Sequence, residues 1–167
     1  MDILVTAEHW LARGSWRRRC ALGRGGIRAD KQEGDGATPT GRLALRQVLY
    51  RPDRLSCPAT RLTARPIQPN DGWCDDPADA AYNRPVALPY AGRHERLWCE
   101  DGIYDVIVVP GHNDDPPIPG LGSAIFLHVA RPDYSPTEGC IALALPDLLQ
   151  LLAVVMPRTM LQVLPAA

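Results

Sequence analysis

The sequence predicts a mainly β (α+β) fold, a single domain over residues 1–167 with one packed helix near the C-terminus. The chain has 167 residues, which suits one compact domain. It contains 17 prolines and 14 glycines but a single phenylalanine, a composition that favours loops and turns over long helices. Hydrophobic residues make up 46% of the chain, enough to form a buried core.

Short apolar runs bounded by turn residues predict the strands. The predicted strands cover residues 3–6, 17–22, 43–50, 60–63, 103–109, 124–129 and 160–164. The runs at 103–109 and 124–129 are apolar on both faces, which indicates central positions in a sheet. Residues 146–155 predict the helix, because Pro146 suits the first helical position and four leucines form an apolar stripe. Residues 31–41 are interpreted as a loop, and so is most of 66–102, whose length suggests a functional role.

Charge and the N-terminal residues argue against several classes of protein. The formal net charge is -1, so no global field attracts nucleic acid or an anionic membrane. No apolar run reaches about 18 residues, and no membrane span is predicted. The first six residues, with Asp2 and a very short apolar run, lack the basic and apolar regions of a secretory signal. We therefore expect the chain, as written, to be cytoplasmic.

Cysteine and glycine spacing gives no cofactor motif. The five cysteines, at positions 20, 57, 74, 99 and 140, form no Cys-x-x-Cys pair, which argues against a structural zinc site. A Cys74–Cys99 disulfide is compatible with the sequence but not implied by it. The segment 23–26 is rich in glycine but lacks the spacing of a phosphate-binding loop, so it is interpreted as a turn.

Cys140 and His128 are the candidate catalytic pair. His128 lies near the end of a predicted buried strand, and Cys140 follows 12 residues later, after a loop that can bring the thiol back beside the imidazole. An imidazole can take the proton of a thiol and return it to a leaving amine. Gly139 permits a sharp turn, and the amides of Gly139 and Cys140 are candidates for holding an oxyanion. The residues alone leave open the alternative of a buried cysteine and a hydrogen-bonded core histidine.

The segments 123–128 (Ser-Ala-Ile-Phe-Leu-His) and 137–141 (Thr-Glu-Gly-Cys-Ile) resemble the L,D-transpeptidase catalytic domain family (YkuD-like). That family carries a histidine on a strand and then a Ser/Thr-His-Gly-Cys turn, and segment 34–43 resembles its Thr-Pro-x-Gly-x-Phe motif. The resemblance covers roughly residues 17–164. It implies a β-sandwich-like domain that cross-links peptidoglycan through a thioester, by attack on the bond between meso-diaminopimelate and D-alanine.

The resemblance also implies residue roles. Cys140 would be the nucleophile, His128 the base and acid, and the carbonyl of Val129 would fix the imidazole tautomer. The candidate substrate-binding residues are Thr137, Glu138, Tyr134, Ser123, Trp73 and Asn83. For Trp73 and Asn83 the alternative is that they pack the long loop onto the sheet.

The resemblance implies no metal or cofactor. The expected partners are peptidoglycan stem peptides or muropeptides, with carbapenems as inhibitors. Because cross-linking takes place outside the cytoplasm, the family function predicts the periplasm or cell wall, in contrast to the missing secretion signal.

Three residues depart from the family pattern. Glu138 stands where the family usually has histidine, Ala142 where it has arginine or asparagine, and Val129 where it has a small residue. A carboxylate beside the nucleophile opposes thiolate formation unless it points away. Two alternatives to a transpeptidase therefore stay open. One is an L,D-carboxypeptidase, which uses water on the same acyl-enzyme, and the other is a catalytically inactive cell-wall-binding module.

Overall fold

A computed structural model describes residues 1–166 of the chain. The strands are β1 (Ile3–Thr6), β2 (Trp10–Arg13), β3 (Trp16–Arg19), β4 (Ile27–Arg28), β5 (Thr38–Pro39), β6 (Gly41–Tyr50), β7 (Ala64–Pro66), β8 (Asp71–Cys74), β9 (Pro85–Ala87), β10 (His94–Arg96), β11 (Val106–Pro110), β12 (Leu127–Val129), β13 (Ile141–Leu143) and β14 (Met160–Val163). The helix α1 is Leu145–Val154. The predicted mainly β fold with one helix near the C-terminus is confirmed.

A nine-stranded sheet forms the body of the structure. Its order is β13-β12-β11-β6-β14-β1-β2-β3, and β7 pairs with β6 off this path. Strand β6 is the longest, with 10 residues, and pairs antiparallel with both β11 and β14. A three-stranded sheet has the order β10-β8-β9, and β4 pairs with β5. The catalytic candidates lie at the β12–β13 end of the large sheet.

Apolar side chains cover both faces of the large sheet. On β11, Val106 and Val108 pack in one core cluster, together with the leucines of α1, while Ile107 and Val109 pack in a second. The second cluster includes Trp73 of β8. Burial on both faces explains why the sequence of β11 is a continuous apolar run. The helix and the three-stranded sheet therefore cover opposite faces of the large sheet.

Several strands begin at other residues than predicted, because local turns precede them. The strand predicted at 60–63 is wrong, because Thr60 Oγ1 accepts a hydrogen bond from Leu62 N at 3.2 Å in a turn, and the strand is the following Ala64–Pro66. Strand β12 begins later than residue 124, since Ala124 has φ +50° and cannot be extended there. Strand β11 likewise begins after a turn in which Asp105 N donates to Gly102 O.

Seven strands were not predicted from the sequence, and one of them is β13. Two others, β4 and β5, have two residues each and pair with one another, and β5 lies inside the segment 31–41 that was interpreted as a loop. Strand β2 lies in an interval without a clear apolar run, and it pairs antiparallel with both β1 and β3. Strands β8, β9 and β10 lie inside the segment interpreted as mostly loop. Each has only three or four residues, too few for an alternating pattern to stand out.

Two further expectations concern thiols and membranes. All five cysteines are free thiols, so Cys74 and Cys99 form no disulfide. Within residues 1–166, no helix has both the length and the hydropathy needed to cross a bilayer.

Candidate active site

Parallel pairing of β12 and β13 brings His128 and Cys140 to one place. In the register of the two strands, His128 lies opposite Ala142 and Leu127 lies opposite Ile141. Alternate residues of a strand share a face, so the side chains of Cys140, Ala142 and His128 point to the same face of the sheet. Cys140 and His128 line one cleft of about 580 Å³, on the face opposite α1.

The thiol of Cys140 is held by backbone groups of the neighbouring strand. Phe126 N donates to Sγ at 3.3 Å, and Sγ donates to Ala124 O at 3.3 Å. Residue Cys140 is 7% exposed, and burial of its thiol raises the pKa of the thiol to about 12. The charge of Glu95 acts in the same direction, whereas the Phe126 N–H acts against it. Cys140 is therefore a neutral thiol in the resting site.

The imidazole of His128 is held in one tautomer. Its Nδ1 lies 2.9 Å from the carbonyl oxygen of Val129, and because a carbonyl only accepts, Nδ1 carries the proton and Nε2 is left as a base. This is the contact that the family resemblance implies for Val129. Burial of the ring lowers the pKa of His128 to about 4, so the imidazole is neutral near pH 7.

The resting pair is thus a thiol and a neutral imidazole. No hydrogen bond joins Cys140 Sγ to the ring of His128 among residues 1–166, since the hydrogen bonds of both side chains go to backbone groups. Burial disfavours the charged form of each group. We therefore expect the thiol to lose its proton as substrate is attacked, rather than to exist beforehand as a thiolate.

Thr137 shapes the turn that carries the nucleophile. Its Oγ1 donates to Cys140 O at 2.6 Å and accepts from Gly139 N at 3.1 Å. The amide of Gly139, predicted as an oxyanion donor, is therefore already occupied. The amide of Cys140 has no acceptor within the described part of the chain, which makes it the remaining candidate on this turn.

Glycines allow the turn to pack closely against an earlier part of the chain. Gly139 has φ +132°, and a Cβ there would lie 2.8 Å from Ala37 O. A Cβ on Gly23 would lie 2.9 Å from Gly139 Cα and would clash with Gly36 O. The glycine-rich segment 23–26 is therefore more than a surface turn, because it supports the Cys140 turn together with the segment around Gly36.

Neither Glu138 nor Ala142, the two unusual residues near the nucleophile, forms a hydrogen bond with the thiol. Glu138 points outward, with a side chain 79% exposed, and accepts from Arg24 Nε at 3.0 Å. Its position meets the condition that a carboxylate beside the nucleophile must point away. Ala142 is buried, and its backbone pairs with Ala21 through bonds of 2.8 and 3.0 Å.

Two other substrate-binding candidates have different locations. Ser123 lines the cleft, where its Oγ donates to Glu33 Oε2 at 2.8 Å. Tyr134 is not among the cleft residues, and its ring lies 4.6 Å from the guanidinium of Arg19. The structure therefore brings Ser123 into the site but leaves Tyr134 outside it.

Trp73 and Asn83 lie behind the cleft and support its backbone. Trp73 Nε1 donates to Asn83 Oδ1 at 2.9 Å, and the same oxygen accepts from Ala124 N at 3.1 Å. Asn83 Nδ2 donates to the carbonyls of His112 and Asn113. Asn83 thus holds Ala124, whose carbonyl accepts a hydrogen bond from the thiol. Trp73 and Asn83 line a separate pocket of about 190 Å³.

Seven ionisable residues that the sequence did not single out line the cleft. Two of them are Tyr104 and Arg131, and the other five, which we call the charged wall, are Lys31, Glu33, Asp75, Arg93 and Glu95. All five members bond other side chains: Arg93 Nε donates to Asp75 at 3.1 Å, Tyr82 Oη donates to Glu33 at 2.5 Å, Tyr104 Oη donates to Glu95, and Lys31 Nζ donates to Asp35. For Asp75, Arg93 and Glu95 the only signal in the sequence was the length of the irregular segment 66–102, which indicated a functional role without naming residues. Lys31 and Glu33 lie outside that segment.

A comparison with protein families identifies the chain. The family model that describes the L,D-transpeptidase catalytic domain, YkuD, matches residues 5–163. The chain belongs to the YkuD family. The match begins at residue 5 rather than 17, so it includes the β1–β2 hairpin that the motifs did not cover. Searches of curated proteins and of solved structures found no match. The YkuD family is known for L,D-transpeptidase activity, an acyl transfer on peptidoglycan peptides.

Proposed function

We propose that this YkuD protein is a cysteine acyltransferase that cleaves the meso-diaminopimelate–D-alanine bond of tetrapeptide stems and passes the acyl group to an amine. The observation that carries the proposal is the shared cleft of Cys140 and His128, with Nδ1 of the imidazole bound to Val129 O at 2.9 Å. Membership of the family supplies the substrate class.

Acylation needs one proton transfer in each direction. As Cys140 Sγ forms a bond to the carbonyl carbon, His128 Nε2 takes the thiol proton. The carbon–nitrogen bond to D-alanine then breaks, and the imidazolium returns the proton to the leaving amine. Burial lowers the pKa of His128, so its imidazolium is a strong acid and donates readily. The amide of Cys140, which has no acceptor within the described residues, stabilises the oxyanion in this proposal.

Deacylation decides between transfer and hydrolysis. An acceptor amine attacks the thioester, its nitrogen bonds to the acyl carbon, and His128 removes the amine proton as sulfur leaves. Water in place of the amine gives a tripeptide, which is the carboxypeptidase outcome. The cleft of about 580 Å³ is within the usual size range of ligand sites and can hold several peptide residues.

Purified disaccharide-tetrapeptide, read by mass spectrometry, tests the proposal. We expect release of D-alanine, a thioester on Cys140 in the intact protein, and a cross-linked dimer when a second stem is supplied. A carbapenem should acylate the same residue. D-alanine release without the dimer would favour the carboxypeptidase, and neither product nor adduct would favour an inactive binding module.

A further inference from the structure

Glu95 lies in the cleft but has no part in the mechanism above. It belongs to β10, where antiparallel pairing places it opposite Trp73 of β8. Its Oε1 accepts a hydrogen bond from Tyr104 Oη at 2.5 Å. The side chain lines the cleft that also holds Cys140 and His128.

Tyr104 connects Glu95 to the catalytic pair. Its buried ring packs edge-on against His128, with centroids 5.3 Å apart, and against Phe126, with centroids 5.9 Å apart. Phe126 N is the donor that holds Cys140 Sγ. Tyr104, which donates a hydrogen bond to Glu95, is therefore in contact with the imidazole and with the residue that positions the thiol.

The charge of Glu95 is not neutralised by a nearby cation. Arg93 bonds Asp75, and Lys31 bonds Asp35, while no salt bridge reaches Glu95 within the described residues. The charged and titratable groups that share its surroundings are Lys31, Glu33, Asp75, Arg93, His94, Cys99, Tyr104, His128, Arg131, Glu138 and Cys140. Burial raises the pKa of Glu95 to about 7, and the charges of Asp75 and Glu33 act in the same direction.

We propose that Glu95 is a positioning residue for the catalytic pair: through Tyr104 it holds the ring of His128, and its charge controls how readily Cys140 loses its proton. The negative form of Glu95 opposes thiolate formation, because its charge raises the pKa of the Cys140 thiol. The inference rests on the proposed function for the identity of the nucleophile.

The rate at which iodoacetamide alkylates Cys140 tests this, in the full chain from pH 5.5 to 9. Cys57 and Cys99, the two thiols that are not buried, are replaced by serine in every variant, and mass spectrometry locates the adduct. Glu95→Gln keeps an acceptor for Tyr104 Oη and removes the charge. Above pH 7 we expect it to react about tenfold faster than the parent, equivalent to about one pKa unit of the thiol. At pH 5.5 the two should agree.

A second variant and a control separate charge from general structure. Tyr104→Phe keeps the ring against His128 but removes the hydrogen bond that lowers the pKa of Glu95. In the parent, the rise of the alkylation rate with pH should flatten as Glu95 becomes charged. In Tyr104→Phe this flattening should therefore begin at a higher pH. Glu8→Gln, which changes an exposed carboxyl between β1 and β2, should match the parent.

Superimposable pH profiles for Glu95→Gln and the parent would overturn the inference, and so would a uniform change at every pH. If Glu95→Gln does not fold, an unshifted profile in Tyr104→Phe has the same consequence. The measurement needs no peptidoglycan. A protein that alkylates as described but releases no D-alanine therefore keeps this inference and refutes the proposed function.

Discussion

The two walls of the cleft are held together in different ways. On the reactive wall, formed by β12 and the Cys140 turn, the thiol and the imidazole bond to the backbone of Phe126, Ala124 and Val129. On the charged wall, the contacts run mainly between side chains that come from separate segments. Backbone geometry therefore sets the position of the nucleophile, whereas individual side chains set the charge that it meets.

Burial shifts the pKa of one residue on each wall, and the two shifts have opposite directions. It lowers the pKa of His128 to about 4 and raises the pKa of Glu95 to about 7. In both cases the neutral form is favoured, which is the effect of desolvation. Removing groups from each wall in turn tests how far this contrast holds.

The largest effect should follow removal of the nucleophile. Cys140→Ala should lower D-alanine release from disaccharide-tetrapeptide by at least about 10³-fold, because it removes the sulfur that forms the acyl-enzyme. The fold should persist, since only the sulfur's two hydrogen bonds are lost. Cys57→Ser, at an exposed thiol outside the cleft, is the matched control and should keep full activity. Residual release within tenfold of the parent would contradict the role of Cys140.

The next effect concerns stability on the reactive wall at low pH. The folded protein holds His128 at a pKa of about 4, whereas the unfolded chain has the ordinary value of 6.5. The stability that this provides is present above pH 6.5 and is lost as the pH falls towards 4, up to about 3 kcal/mol. Urea unfolding between pH 4 and 7 measures it, and His128→Gln should remove this part of the pH dependence.

Glu95→Gln gives the opposite comparison in the same titration. A raised carboxyl pKa stabilises the folded protein at low pH, and this contribution disappears as the pH rises from 4.5 to about 7. Above pH 4.5 the free energy of unfolding of the parent should therefore fall relative to that of Glu95→Gln. If the free energy of unfolding depended on pH in the same way in the parent and in both variants, the two walls would not differ as described.

A smaller effect is expected where the reactive wall depends on close backbone packing. Gly139→Ala should destabilise the fold by about 2 kcal/mol, since the residue has φ +132° and its Cβ would lie 2.8 Å from Ala37 O. Gly26→Ala is the control, because its φ is also positive, at +72°, but no atom lies within 4 Å of the added Cβ. Thermal unfolding should show a larger loss for Gly139→Ala, and equal losses would mean that the close contact is unimportant.

The smallest effect is expected at Glu138, despite its position two residues before the nucleophile. Its side chain is 79% exposed and bonds Arg24 at the surface. Glu138→Gln should change stability by less than about 0.5 kcal/mol and the alkylation rate of Cys140 by less than about twofold. A tenfold change in the alkylation rate would show that a neighbour in the sequence affects the reactivity of Cys140 more than the charged wall does.

Regular elements and the reactive pair could be predicted from local signals. The runs at 103–109 and 124–129 were predicted to be central because they are apolar on both faces, and β11 is indeed covered by two core clusters. The helix was placed within one residue at each end, from Pro146 and the leucine stripe. The pair His128 and Cys140 stood out because strand, turn and cysteine follow each other in a short segment.

The charged wall could not be predicted in the same way. Lys31 and Glu33 come from a loop, Asp75 follows β8, and Glu95 lies in a strand of three residues. None of these segments has a periodic pattern, and the residues meet only because the three-stranded sheet covers one face of the large sheet. The roles of the predicted substrate-binding residues stay predictions, although Trp73 and Asn83 lie behind the cleft rather than in it.

The sequence by itself determined the fold class, the family and the two residues that can carry the chemistry, because each depends on contacts between near neighbours in the chain. Only the tertiary structure decided which carboxylate faces the thiol. Glu138 is close in sequence but turns to solvent, whereas Glu95 is 45 residues away and lies half-buried beside Tyr104. Charge acts through space, and the distance through space is set by how the sheets pack.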